Sequence, residues 1–207
     1  VDVMDDAVED YERIEDDGRT VVRPVVTIDA QSTGPITRPT PELLPLLSRN
    51  RRVVVRAHDP TGALQFLRFN HLHPPFDNPE IRRAIIGAVQ QSDYMLAAAG
   101  SDPAMWDARS GVFTPGMPMA SDAGMDLLNS PRDISKVKRA LAEAGYVNER
   151  IVFLATSDVP EIKAISEVAG DMFRRLGVNL DYQVMDWNTV LQRRTSLAPP
   201  DKGGWNV

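Results

Sequence analysis

The stretch RIVFLATSDVPEIKAISEVAGDMFRRLGVNLDYQVM, residues 150–185, decides the fold class. After Arg150, Ile151 to Ala155 form an unbroken apolar run, as in a strand buried on both faces. A polar turn, Thr156-Ser157-Asp158, follows. Asp158 and Glu161 have the spacing of a capping box, which predicts a helix start with Asp158 as its N-cap. Ile162, Ile165, Val168, Ala169, Met172 and Leu176 recur at helical spacing, and Gly177 ends the helix. Val178 to Met185 alternates and reads as a second strand. Strand, helix and strand in this order predict an α/β layer with parallel strands.

Working toward the C-terminus, Trp187 to about Ser196 reads as a final helix. Pro199-Pro200 and Gly203-Gly204 then form a loop, and Trp205-Asn206-Val207 begins another strand. Working back, Asp133 caps a helix over Ile134 to Ala144 that Gly145 closes. Residues 101–131, rich in Pro, Gly and Met, read as irregular. Asn78 as N-cap and Pro79 at N1 start a long amphipathic helix. It carries Ile81, Ile85, Ala88 and Val89 on one face and reaches about Ala98, before Gly100. The prolines of His71-Leu72-His73-Pro74-Pro75-Phe76 make a rigid loop. Arg52 to Arg56 and Leu64 to Asn70 read as strands on either side of the turn Asp59-Pro60-Thr61-Gly62. Pro41 to Leu47 reads as a short helix starting near Thr40 or Pro41, after a Pro-rich linker at 33–41. Val21-Val22 and Val25 to Ile28 are strand material, with Pro24 limiting the first to an edge or a break. Residues 1–19 hold nine carboxylates (Asp2, Asp5, Asp6, Glu9, Asp10, Glu12, Glu15, Asp16 and Asp17) against Arg13 and Arg19. Such a run repels itself and reads as solvated or mobile.

The 207 residues suffice for one domain with a proper core or for two small ones. A net charge of -6 argues against a nucleic-acid binder and against an anionic membrane surface as partner. The absence of cysteine removes disulfides, thiolate catalysis and Cys-ligated zinc. No apolar run approaches the roughly 18 residues of a membrane span. The acidic start, Val1 to Asp6, does not have the form of a signal peptide, so an exported protein would begin upstream of it.

For chemistry, His71-x-His73 offers two metal ligands, but no nearby spacing suggests the third that zinc needs. The acidic N-terminus does not match a calcium loop. No nucleophile elbow, phosphate-cradling loop or paired-histidine zinc motif is present. An enzyme or metal-binding protein using His71, His73 and the acidic residues therefore stands as the alternative reading. The turn Thr156-Ser157-Asp158 draws more interest, because ligands of open α/β sheets bind beyond the carboxyl ends of strands. Asp158 either only caps its helix or also turns a carboxylate oxygen to a ligand amine. Trp205, after two glycines that permit close backbone approach, either packs in the core or stacks on a ligand. Trp106 and Trp187 have the same two options, at an entrance and at a helix start.

Four stretches together resemble the family 5 extracellular solute-binding proteins, the peptide, nickel and opine group. They are Leu67-Arg68-Phe69-Asn70 leading to Pro74 through Ile85 and on to Ser92-Asp93-Tyr94; the helix ending Ala144-Gly145-Tyr146; Leu176 to Leu180 followed by Met185-Asp186-Trp187; and Gly204-Trp205. The resemblance spans roughly residues 36–207 and implies one lobe of a type II periplasmic-binding-protein-like fold, α/β, with a mixed sheet flanked by helices. On that basis residues 35–207 are the solute-binding lobe and 1–34 an acidic N-terminal segment unlike the family's. The implied function is the substrate-binding component of an ABC importer. It would capture a small peptide-like or amine-bearing solute and deliver it to the transmembrane permease subunits. The implied place of work is periplasmic or extracytoplasmic, membrane-associated through the transporter, as a monomer without cofactor, metal or catalytic residues. By analogy, Thr156, Ser157, Asp158 and Trp205 match ligand contacts. Relatives often carry a basic or aromatic residue in that turn, so Asp158 favours an amine over a carboxylate. An isolated lobe, with half the cleft missing, is expected to bind weakly or not at all.

Overall fold

A computed structural model of the chain describes residues 10–16, 19–28, 44–50, 54–57 and 64–207. The described elements are, in chain order, β1 (Asp10–Asp16), β2 (Arg19–Ile28), α1 (Leu44–Arg49), β3 (Val54–Ala57), α2 (Pro79–Ile86) and α3 (Gln91–Ala99). After them come α4 (Asp126–Asn129), α5 (Ile134–Glu143), β4 (Ile151–Thr156), α6 (Pro160–Leu176), β5 (Leu180–Met185) and α7 (Trp187–Arg193). Two compact units emerge. One draws on Val1–Leu64 with Val112–Ala120, the other is Gln65–Gly111 with Ser121–Val207.

In the first unit β1 pairs antiparallel with β2, and β2 parallel with β3, a mixed three-stranded sheet. Within the stretch 1–19, expected to be solvated or mobile, residues 10–16 form a strand. The β1–β2 ladder runs from Asp10↔Val25 to Asp16↔Arg19. β2 runs through Pro24 unbroken, and Pro24 pairs with Tyr11 of β1. The linker at 33–41, the start of the helix expected from Thr40 or Pro41, and the turn at 59–62 lie outside the described residues.

The second unit is built on the β4–α6–β5 segment. The two strands pair in parallel from Ile151↔Leu180 to Thr156↔Met185, as the alternation predicted. β4 is buried along its whole length. Its period of two explains how: Ile151, Phe153 and Ala155 join a core with Ile85, Leu141 and Phe173, while Val152 and Leu154 turn to a second cluster with Val190 and Trp205. α6 ends on Gly177 in the left-handed region, φ 75°, where a glycine carries no Cβ penalty.

Three expected elements differ. The single helix from Pro79 to about Ala98 is two helices, α2 and α3. Its start holds, with Asn78 accepting from the Glu80 N–H at 2.9 Å and Pro79 at N1. Gly87 then closes α2 against α5, where a Cβ would stand 3.3 Å from Val137 Cγ2. The apolar spacing runs across the break because Ile81, Ile85 and Ala88 all feed one core. Residues 64–70 are not a strand, and neither is 205–207. The two segments hydrogen-bond instead through a few specific groups, described next.

Candidate functional site

The β4 chain leaves the core at Thr156, which is 1% exposed, and turns into exposed Ser157 and Asp158. The turn is stitched to the end of β5: the Ser157 N–H donates to the Met185 carbonyl at 2.9 Å, and the Ser157 hydroxyl to the same oxygen at 3.2 Å. The Thr156 hydroxyl donates to Asp158 Oδ1 at 2.6 Å, and the Trp187 N–H, the first of α7, donates to that same oxygen at 2.8 Å. Asp158 is therefore not the N-cap of α6. That position belongs to Val159, with no side-chain bond and Pro160 following. The capping-box spacing failed because Pro160 already fills the first turn without an N–H, while the orphan amide of α7 stands within reach. Asp158 Oδ2 has no partner among the described residues and stands at the carboxyl edge of the parallel strands. α7 has its own cap: Asp186 accepts from the Thr189 hydroxyl at 2.5 Å and its N–H at 3.0 Å, and these bonds hold the Asp186 carboxyl below the usual carboxylate range.

Trp205 sits elsewhere. The Val207 N–H donates to the Val152 carbonyl at 3.0 Å and the Leu154 N–H to the Val207 carbonyl at 2.8 Å, which pairs Val207 with Phe153 in parallel. Trp205 precedes this pairing, and its side chain turns to the face of β4 that carries Val152 and Leu154. Its indole is 5% exposed and packs with Val152, Leu154 and Val190. The guanidinium of Arg68 covers its ring, 5.6 Å from the centroid. The buried indole N–H has no partner among the described residues. The structure brings Thr156, Ser157 and Asp158 together and leaves Trp205 apart from them, buried on one face of β4.

The sequence reading did not single out Asn206 or a structural role for Asn70. Asn206 is 0% exposed. Its Oδ1 accepts from the Val152 N–H at 2.9 Å, its Nδ2 donates to the Pro74 carbonyl at 3.0 Å, and its own carbonyl accepts from the Asn70 N–H at 2.8 Å. Asn70 Nδ2 donates to the Trp205 carbonyl at 2.9 Å. Phe69-Asn70 and the proline loop are thereby pinned to the start of β4. An asparagine directly after Gly-Gly-Trp was the available clue, since a buried amide needs several backbone partners.

The remaining candidates are occupied locally. Trp106 donates its indole N–H to the Gly100 carbonyl at 3.0 Å. His71 is exposed, and His73 Nε2 is 3.0 Å from the Leu197 carbonyl. Among the described residues no three His, Asp or Glu side chains gather as a metal site. A cavity of about 40 Å³ lies along the C-terminal half of α6, lined by Tyr94, Asp93, Arg132, Met172 and Asp171 among others. It has room for a few waters, not for a peptide, and Thr156 to Asp158 precede the opposite end of that helix.

The chain belongs to the bacterial extracellular solute-binding proteins, family 5, whose middle-region model matches residues 22–204. It is 30% identical over 187 residues to a protein of Sinorhizobium fredii (strain NBRC 101917 / NGR234) named "Probable peptide ABC transporter periplasmic-binding protein y4tO", covering 89% of this chain and 35% of that protein. It is 29% identical over 141 residues to the dipeptide-binding protein DppE of Bacillus subtilis (strain 168), covering 66% of this chain and 26% of that one. The chain thus spans about a third or less of these relatives' lengths. Over 62% of the chain the fold is similar to 26% of the ABC transporter substrate-binding protein CtaP from Listeria monocytogenes, with TM-score 0.51 and 21% identity. The type II binding-protein architecture expected from the four sequence stretches is the one found. No helix among the described residues is long and apolar enough to cross a membrane.

Proposed function

We propose that this chain is the solute-capturing lobe of an ABC importer's substrate-binding component, working outside the cytoplasmic membrane. In this reading it binds a small peptide-like solute through an amine and presents it to the membrane permease. The observation that carries the amine is the open Oδ2 of Asp158. Two hydrogen bonds to Oδ1 fix the carboxylate, so little rotamer freedom is lost on binding a cation. Family membership and the relatives named for peptides support the solute class. Trp205 enters as a separate contact, through the ring face that Arg68 covers. The protein acts as a monomer and without nucleic acid. The alternative, a metal-binding or hydrolytic protein using His71 and His73, has no comparable constellation behind it.

The test is calorimetry of the full-length parent protein with a di- and oligopeptide library, alongside Asp158→Asn in it. Asparagine keeps an oxygen for the Trp187 N–H and the Thr156 hydroxyl while removing the charge. Affinity for amine-bearing peptides is expected to fall about tenfold or more with the fold unchanged. Equal affinity in the variant removes Asp158 from the site, and no peptide binding by the parent removes the function.

A further inference from the structure

α7 touches both ends of the candidate site. Its first N–H is held by Asp158, and its last turn carries Arg193. Arg193 Nη2 donates to the Gly204 carbonyl at 2.9 Å and reaches the Gly203 carbonyl at 3.4 Å, while Nη1 donates to Gln183 Oε1 on β5. These two carbonyls belong to the residues just before Trp205. The turn they form is tight: Gly203 has φ 87°, the Gly204 N–H donates to the Pro199 carbonyl at 3.0 Å, and a Cβ on Gly204 would lie 1.9 Å from the Ala198 carbonyl oxygen. The Pro199 bond leaves the Gly203 and Gly204 carbonyls free, and glycine has the most freedom to lose. A planar guanidinium with one nitrogen on β5 and the other on these carbonyls adds a second constraint.

We infer that Arg193 is a positioning residue for Trp205: it clamps the Gly203-Gly204 turn to β5 and so sets the depth and angle at which the indole packs on Val190. The inference rests on the proposal that Trp205 contacts solute, and extends it to a residue that touches none. α7 then joins the two contacts, with Asp158 fixing its start and Arg193 fixing the Trp205 turn from its end.

Labelling the protein with 5-fluorotryptophan tests this by ¹⁹F NMR. The Trp205 resonance is the one lost in Trp205→Phe, and its H₂O/D₂O shift reports exposure of the indole. In Arg193→Ala that shift is expected to grow about twofold or more, while the Trp106 resonance stays in place; Arg193→Lys, with a charge but no fork, falls between. Should Arg193→Ala not fold, Gln183→Ala frees the same guanidinium from β5 and is expected to move Trp205 in the same direction by less. An unmoved Trp205 resonance in the folded variants overturns the inference. Peptide titration of Trp205→Ala separates the underlying reading: unchanged affinity there removes Trp205 as a contact, whatever the resonance of Arg193→Ala shows.

Discussion

Asp158 and Asn206 are both short polar side chains, and their neighbourhoods assign them opposite work. Asn206 is sealed in and spends its amide on backbone groups; Asp158 is exposed, with one oxygen committed and one open. Tyr94 is a third case. Its hydroxyl reaches only Met172 Sδ, at 3.5 Å, a weak acceptor. Burial pushes its pKa up to about 12, with the nearby Asp93 carboxylate adding to the rise and Arg132 opposing it. The folded protein therefore holds this proton more tightly than the unfolded chain, whose phenol titrates near 10. The resulting stability, about 2–3 kcal/mol, is fully present below pH 10 and lost as pH rises toward 12. Denaturant titrations from pH 9 to 12 should show this loss, and Tyr94→Phe should flatten it.

At the scale of elements, the local code was largely legible. Asn78 and Asp133 cap the helices they were expected to cap, and Gly177 stops α6 where the pattern stops. These rules reach only a few residues along the chain, so they could not see that Asn78 does a second job. Its Nδ2 donates to the Ala144 carbonyl at 2.8 Å, tying the start of α2 to the end of α5. Asn78→Ala is expected to cost about 1 kcal/mol for the cap and a further 1 kcal/mol for that tie. Asn78→Ser keeps a capping oxygen and is too short for the tie, so chemical denaturation of both variants separates the two parts. The same short reach explains the two misassignments. Helical spacing continued past Gly87 although the helix did not, and Asp158 accepts the first N–H of α7, which Asp186 caps, instead of capping α6.

For the whole molecule, the second unit closes through contacts between residues far apart in sequence. Asn70 and Trp205 are 135 positions apart, and Asn206 and Pro74 are 132. Asn206→Ala would leave the Val152 N–H and the Pro74 carbonyl without partners beside a packed core. That is expected to destabilise the unit by about 2–4 kcal/mol, measured as a shift in denaturant midpoint. Asn206→Asp keeps the acceptor for Val152 and faces the Pro74 carbonyl with a second acceptor, so it gives little rescue. The Phe69-Asn70 segment that most resembled the family is thus a piece of frame, held at the start of β4, and the polar turn lies at the other end of that strand.

The sequence by itself determined the parallel β4–α6–β5 unit, most helix ends and the family. Each follows from hydrophobic period, capping chemistry and order along the chain, which need no knowledge of distant partners. Tertiary structure alone decided what the site residues do. Asp158 is held by an amide 29 positions away, Trp205 is buried under Arg68 from 137 positions back, and Gly203 and Gly204 are gripped by Arg193. A polar group's role depends on which unpaired donor or acceptor folding brings beside it, and one-dimensional spacing carries no record of that.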